Sequence, residues 1–206
     1  MTLALKVLAA FLIGSIPFAK IAMLGTGIDI TKVGSKNPGF NNVRRVSSKW
    51  RAAITLIGDI TKGCVAVWLF GPHWLVVIAP VVGHCWSPWL RFNGGKGVAT
   101  AVGVMIYMQP WMTLACLPLY PALRISGRKM GWRQEGAIAS MSTMLLLSVV
   151  VGEVYAYAML AIVIIRHIPN LREIMASKRE PPAGQSKSQA EDVRAARRQS
   201  RQKPFL

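Results

Sequence analysis

Gly94-Gly95-Lys96-Gly97 sets three glycines around one cation, between an apolar stretch at 74–90 and another at 98–108. Glycine lets backbone N–H groups approach a ligand closely, and a lysine beside them makes a seat for a phosphate or another dense anion. A lipid-facing segment has no use for such a loop. Irregular polar backbone at a membrane is tolerated only where protein buries it or a wet cavity borders it. The spacing is not that of a nucleotide P-loop, which needs a glycine five residues before the Gly-Lys pair and a Ser or Thr after the lysine. Leu90 and Gly97 stand at those places. Thr100 sits where it would cap the following helix or add a hydroxyl to the anion seat.

A second cluster runs Gly34-Ser35-Lys36-Asn37-Pro38-Gly39-Phe40-Asn41-Asn42-Val43-Arg44-Arg45. Its glycines and proline set a turn. Asn37 and Asn42 offer donors and acceptors to hydroxyls or brace the loop, Ser35 adds a hydroxyl, and Arg45 suits bidentate phosphate binding. His167 lies at the end of the last apolar stretch, two residues before Pro169-Asn170-Leu171-Arg172, and its type suits proton transfer near neutrality. Asp59 and Lys62, three apart on one helical face, form an ionisable pair inside an apolar segment, either functional or pinning the span. His84, also inside an apolar stretch, reads as structural and in need of a partner. The signatures H-x-x-x-x-D, H-E-x-x-H and G-x-S-x-G are absent. That removes the support for His-Asp acyl transfer, zincin hydrolysis and a nucleophile elbow.

The elements that must position these residues are membrane helices. The chain has 206 residues, 52% of them hydrophobic, more than a soluble domain needs. Apolar stretches at 3–24, 52–70, 74–90, 98–108, 110–123, 136–151 and 154–165 give an all-α polytopic membrane protein of about seven short spans with glycine-rich cytoplasmic loops. The first stretch is expected to be retained rather than cleaved. Basic residues cluster in 25–51, 91–97, 124–135 and from Arg166 onward, whereas the turns near 71–73, 109 and 152–153 carry none. Seven crossings put every basic loop on the cytoplasmic side, with the N-terminus outside and the C-terminus inside. The net charge of +17 follows from this topology and from phosphate ligands. The aromatic residues lie inside apolar runs, so no nucleic-acid surface is expected. Cys64, Cys85 and Cys116 are scattered and odd in number, so neither a disulfide framework nor a metal site is expected. The organisation is a membrane domain at 1–175 and a basic, disordered cytoplasmic tail at 176–206.

These motifs resemble those of the bacterial acyl-phosphate-dependent glycerol-3-phosphate acyltransferases of the PlsY type. The family pattern G-S-G-N-P-G-A-T-N-x-x-R is similar to Gly34–Arg45, with Lys36, Phe40 and Asn41 replacing its usual glycine, alanine and threonine. D-x-x-K-G matches Asp59, Lys62 and Gly63; G-H followed by F-x-G-G-K-G-V-A-T matches Gly83, His84 and Phe92 to Thr100. A closing R-H-x-x-N-x-x-R resembles Arg166, His167, Asn170 and Arg172, with Arg172 one residue short of the pattern's last position. The resemblance implies transfer of a fatty acyl group from acyl phosphate to the 1-hydroxyl of sn-glycerol-3-phosphate. That is the first step of phospholipid synthesis, placed at the cytoplasmic face of the bacterial inner membrane, with no cofactor. It implies that Ser35, Arg45, Lys96, His167 and Asn170 bind and turn over glycerol-3-phosphate. Asn37, Asn42, Gly94, Gly95, Gly97 and Thr100 would hold substrate, and Asp59, Lys62, His84 and Arg172 would support them. A transporter or scramblase of a phosphorylated metabolite or lipid is the alternative, but it would want polar residues toward both faces.

Overall fold

The computed structural model describes residues 1–132, 134–177 and 185–202, and these are helical, with no strand among them. The first apolar stretch is not one straight span. Helix α1 (Leu3–Gly14) ends at Ser15, and a short α2 (Phe18–Ala22) follows Pro17. The break leaves carbonyls that a continuous helix would have used, and in a membrane each would cost several kcal/mol if unpaired. Distant side chains satisfy them: Ser87 Oγ donates to the Ser15 carbonyl at 2.6 Å, and Lys62 Nζ to that of Ile16 at 2.8 Å. Buried Arg51 does the same beyond α2, donating to the carbonyls of Ala22 and Leu24 at 2.9 and 3.0 Å.

A loop then leads to α3 (Phe40–Val46), and α4 (Lys49–Phe70) starts on the Ser48 cap. Its 22 residues reach about 33 Å at 1.5 Å each, enough to cross a bilayer. Helix α5 (Trp74–Cys85) ends in a 3-10 turn at Pro88–Leu90, and the glycine loop feeds α6 (Val98–Met108). Helices α7 (Pro110–Cys116), α8 (Leu119–Lys129), α9 (Glu135–Val151) and α10 (Val154–Ser177) complete the membrane part.

The segments Leu3–Ala22, Lys49–Phe70 and Val154–Met175 are long and apolar enough to span; Trp74–Leu90, Val98–Met108 and Glu135–Val151 are shorter apolar helices. Trp68, Trp111 and Val154 are largely exposed on the outside of the bundle, as lipid-facing residues are, so this is a multi-pass membrane protein. The stretch 110–123 differs from its expectation. It divides at Leu117–Pro118, where proline cannot continue the hydrogen-bond ladder, into a seven-residue α7 and an α8 that carries Arg124, Arg128 and Lys129.

Close backbone contact holds the bundle. A Cβ on Gly63 would meet the Thr100 carbonyl, and one on Gly103 that of Ile60, so α4 and α6 cross at glycine distance. Gly14 and Gly83 do the same for α1 against α5. Without a hydrophobic gradient between helices and lipid, such small-residue contacts supply the packing. Val67, Val81, Val104, Met144, Met159 and Val163 fill the centre between α4, α5, α6, α9 and α10.

The tail expectation needs correction at 185–202. Residues Gln185–Gln202 form helix α11, whereas disorder was expected from their charge. Val193, Ala196 and Ser200 recur on one edge, and that edge packs on the cluster of Ile30, Val43 and Val46. Ser200 and Ser47 hydroxyls bond at 2.5 Å, and Gln199 Nε2 donates to the Thr26 carbonyl at 3.2 Å. The rest of that stretch, 178–184 and 203–206, lies outside the described residues.

Candidate active site

The glycine loop is clamped from both sides. The Gly94 amide donates to the Cys85 carbonyl and the Gly95 amide to the His84 carbonyl, each at 3.1 Å. Their own carbonyls accept from Arg166 on α10, at 2.8 Å from Nη2 to Gly94 and 3.0 Å from Nε to Gly95. This corrects the expectation that Gly94 and Gly95 give their amides to phosphate, because protein carbonyls already hold both. Their lack of a side chain has another cause: a Cβ on Gly94 would strike the His84 carbonyl, and one on Gly95 the His84 ring. Gly97, with φ 81°, is the N-cap of α6. The first amides of α6 have no acceptor within the helix, so the donors left for an anion lie one turn later than the sequence suggests. Thr100 does not cap α6. It is fully buried, and its hydroxyl has no hydrogen-bond partner among the described residues.

Lys96 projects from this loop to α10, where Nζ donates to Asn170 Oδ1. Burial takes the ammonium down from the usual lysine value to about 8; the Arg166 and Arg45 guanidinium groups push the same way, and Glu173 pushes back. Asn170 Nδ2 donates to Gln134 Oε1 at 2.7 Å, and Gln134 Nε2 to Glu173 Oε2 at 2.7 Å. His167 is 2% exposed, and its Nδ1 stands 2.7 Å from the Val163 carbonyl. A carbonyl only accepts, so Nδ1 carries the hydrogen and the neutral ring keeps its lone pair on Nε2.

The first motif folds around Asn42. Its Oδ1 accepts from the Ser35 amide at 2.9 Å, and its Nδ2 donates to the carbonyls of Val33 and Ile30 at 2.9 and 3.2 Å. Asn42 is 1% exposed and spends both ends of its amide inside the loop, which is the bracing alternative of the two the sequence offers. Lys36 keeps the left-handed backbone, φ 57°, at the position where the resemblance places a glycine. Ser35 and Arg45 are exposed, and Asn37 is half-buried against Gly39. Pro38 and Gly95 line one small cavity, which brings the first and third motifs together.

Beneath them, Asp59 Oδ1 lies 2.7 Å from Lys62 Nζ and 3.4 Å from His84 Nδ1. All three are buried, and His84 stands between Asp59 and Gly95. The pair thus connects α4 to the glycine loop on one side and to the broken first span on the other. Arg172 is exposed, and helical spacing puts it on the face of α10 away from Arg166, Asn170 and Glu173. The structure does not bring it to the site.

Sequence reasoning missed Gln134, Glu173, Asn41, Tyr120 and Arg124. Glu173 follows Asn170 by three and Arg166 by seven, a spacing that could have found it. Asn41 accepts from Arg124 and donates to the Tyr120 hydroxyl at 3.1 Å, which ties α8 to the first motif; nothing local in the sequence signals this.

A lysine held in a polar line, among arginines, at the end of a bundle of broken membrane helices defines a class: membrane proteins that handle an anionic substrate at the bilayer surface. Within that class, the family model for glycerol-3-phosphate acyltransferase matches residues 4–177. The chain belongs to that family and is an acyltransferase. It is 33% identical over 203 residues to the glycerol-3-phosphate acyltransferase of Laribacter hongkongensis (strain HLHK9), covering 91% of this chain and 100% of the relative. The fold is similar to crystal structures of PlsY (YgiH), an integral membrane glycerol 3-phosphate acyltransferase. The glycerol 3-phosphate form matches with TM-score 0.73 at 28% identity, over 90% of this chain and 97% of that one. The lysophosphatidic acid form matches with TM-score 0.70 at 27% identity, over 93% and 98%.

Proposed function

We propose that the protein transfers a fatty acyl group from acyl phosphate to the 1-hydroxyl of sn-glycerol-3-phosphate, releasing lysophosphatidate and inorganic phosphate. Its active site opens to the cytoplasmic face of a bacterial inner membrane, with the N-terminus outside. The observation that carries this reading is Lys96: one of its N–H groups goes to Asn170, and an ammonium has two more to offer a phosphate. Both substrates carry phosphate, so two anions must lie close together, and Lys96, Arg45 and the first amides of α6 offset their repulsion.

The hydroxyl oxygen attacks the acyl carbon, the bond from that carbon to the phosphate oxygen breaks, and its electron pair leaves with phosphate. Acyl phosphate is a mixed anhydride with a good leaving group, so positioning supplies much of the rate and no acyl-enzyme is needed. The hydroxyl proton passes to His167 Nε2 or to a phosphate oxygen of the substrates. Turnover of His167→Gln at an unchanged pH profile would assign it to phosphate. Ser35, Asn37 and Arg45 take the acceptor, and the acyl chain lies in an apolar groove between spans.

The test is phosphate release by the protein in lipid, given palmitoyl phosphate and sn-glycerol-3-phosphate, beside Lys96→Ala. Release that needs both substrates, yields lysophosphatidate and is lost in the variant supports the reading. Turnover with palmitoyl-CoA alone would overturn the donor. Silence with both donors would overturn the reaction, and uptake of glycerol-3-phosphate into vesicles would then mark a transporter.

A further inference from the structure

Gln134 breaks two local rules. It is a non-glycine residue with φ 59°, a conformation that costs most residues energy and collects at functional sites. It is also the N-cap of α9, yet its side chain accepts nothing from that helix. Caps are short oxygen-bearing residues that fold back on the second or third amide, and glutamine is a poor choice. Its backbone carbonyl does accept from the Ala137 amide at 2.8 Å, so the helix starts in the ordinary way. The side chain leaves α9 and serves α10.

There it completes a line from Lys96 to Asn170 to Gln134 to Glu173. The direction of this line is fixed from both ends, because an ammonium only donates and a carboxylate only accepts. Each amide between them has one orientation that satisfies both neighbours. Turned over, Asn170 would set its NH2 against the ammonium and its oxygen against the oxygen of Gln134. Gln134 therefore decides which end of Asn170 faces Lys96. Glu173, in turn, decides which end of Gln134 faces Asn170.

We propose that Gln134 is a positioning residue for acyl transfer: it holds the Asn170 amide with its oxygen on Lys96, and so aims the remaining N–H groups of Lys96 at the acceptor's phosphate. The inference rests on the reading of the site given under Proposed function. Gln134 acts through Asn170 and Lys96, without touching substrate. The line joins the glycine loop, α10 and the start of α9, three segments far apart in the chain.

The experiment is steady-state kinetics in proteoliposomes, with glycerol-3-phosphate varied at saturating palmitoyl phosphate. Gln134→Leu removes both links. Its KM for glycerol-3-phosphate should rise about tenfold, the weight of one hydrogen bond to a charged group, with kcat changed less. Gln134→Glu keeps the acceptor toward Asn170 but faces Glu173 with a second carboxylate, and should lose affinity as well. Combining Gln134→Glu with Glu173→Gln gives every link a donor and an acceptor again: Asn170 still donates to position 134, and the last link is kept with its direction reversed, the amide now at 173 donating to the carboxylate at 134. KM should return to within about threefold of wild type. A role confined to starting α9 would not be rescued from position 173. Wild-type KM in Gln134→Leu overturns the proposal, as does a loss in Gln134→Glu that the double variant fails to recover. Should Gln134→Leu fold poorly, the second comparison decides alone. A wild-type protein inactive with glycerol-3-phosphate overturns the functional reading itself, an outcome distinct from these.

Discussion

Replacing Lys96 by methionine should make the ligand-free protein more stable while abolishing acyl transfer. The Lys96 ammonium is held at about 8 against an ordinary 10.5, chiefly by burial. At 1.36 kcal/mol per unit, the site opposes the charge by about 3 kcal/mol. Because the folded value lies below the unfolded one, the unfolded chain holds the proton more tightly between pH 8 and 10.5. Stability therefore rises with pH through that window, and below pH 8 the full cost is present. Methionine removes that cost but leaves Asn170 Oδ1 without its donor, a loss of about 1–2 kcal/mol. The net gain at pH 7 is about 1–2 kcal/mol, or roughly 4 °C in Tm for a chain of this length. By pH 9.5 the wild-type cost has fallen to about 1.4 kcal/mol, and the gain should have gone. Cys64, Cys85 and Cys116 are free thiols, two of them buried, so thermal unfolding in detergent can be followed with a thiol-reactive fluorophore. A lower Tm for the variant at pH 7, or a gain of equal size at both pH values, would refute the reasoning. Glycerol-3-phosphate should raise the Tm of wild type alone, since its phosphate adds counter-charge to what Glu173 already supplies.

Acceptor kcat/KM should fall above about pH 8 as Lys96 loses its proton, and Lys96→Arg, charged throughout this range, should remove that alkaline limb even at a reduced rate. Gly95→Ala should drive a methyl into the His84 ring and cost about 1–3 kcal/mol, read as a lower Tm together with lost activity; wild-type values would show that the loop yields. Asp59→Asn leaves the Lys62 ammonium, 2% exposed in its side chain, without its counter-charge. The expected cost is about 3–5 kcal/mol, and Lys62→Met in the same chain should recover part of the lost expression in folded form. Lys36→Gly relieves a left-handed lysine at φ 57°; the relief of about 1–2 kcal/mol is offset by about 0.4–1 kcal/mol of added freedom in the unfolded chain. A slightly higher Tm at unchanged KM is expected.

Lys96, Arg45, His167 and the glycine turns stood out as candidates by type and spacing, because a phosphate ligand would demand cations and close backbone in a chain that otherwise avoids both. The partners of those groups did not. Nothing in Gly94-Gly95 says that its amides are already taken by His84 and Cys85 carbonyls, since that depends on how α5 ends. Asn42 could have met hydroxyls or braced the loop, and only the path of the loop past Ile30 and Val33 shows its amide to be spent there. Gln134 is invisible locally because its role is defined by α10. The helices followed from hydropathy, but their breaks did not: carbonyls freed at Ser15 and Ile16 are affordable only because Ser87 and Lys62 lie across from them. Charge suggested disorder for the tail, and at 185–202 the packing of Val193, Ala196 and Ser200 along one edge of α11 outweighs it.

Arg45 lies on α3, whereas Arg166, His167 and Asn170 arrive on α10. Roughly 125 residues separate Arg45 from Asn170, so at about 5–20 residues per second a ribosome delivers the two halves of the site some 6–25 s apart. Until the last helix enters the bilayer, the glycine loop has no clamp, Lys96 has no Asn170, and a half-made chain has no centre at which to react. On the function proposed above, the order of synthesis leaves a chain that stops before α10 without Arg166, His167 and Asn170, and such a product would occupy membrane without turning over substrate.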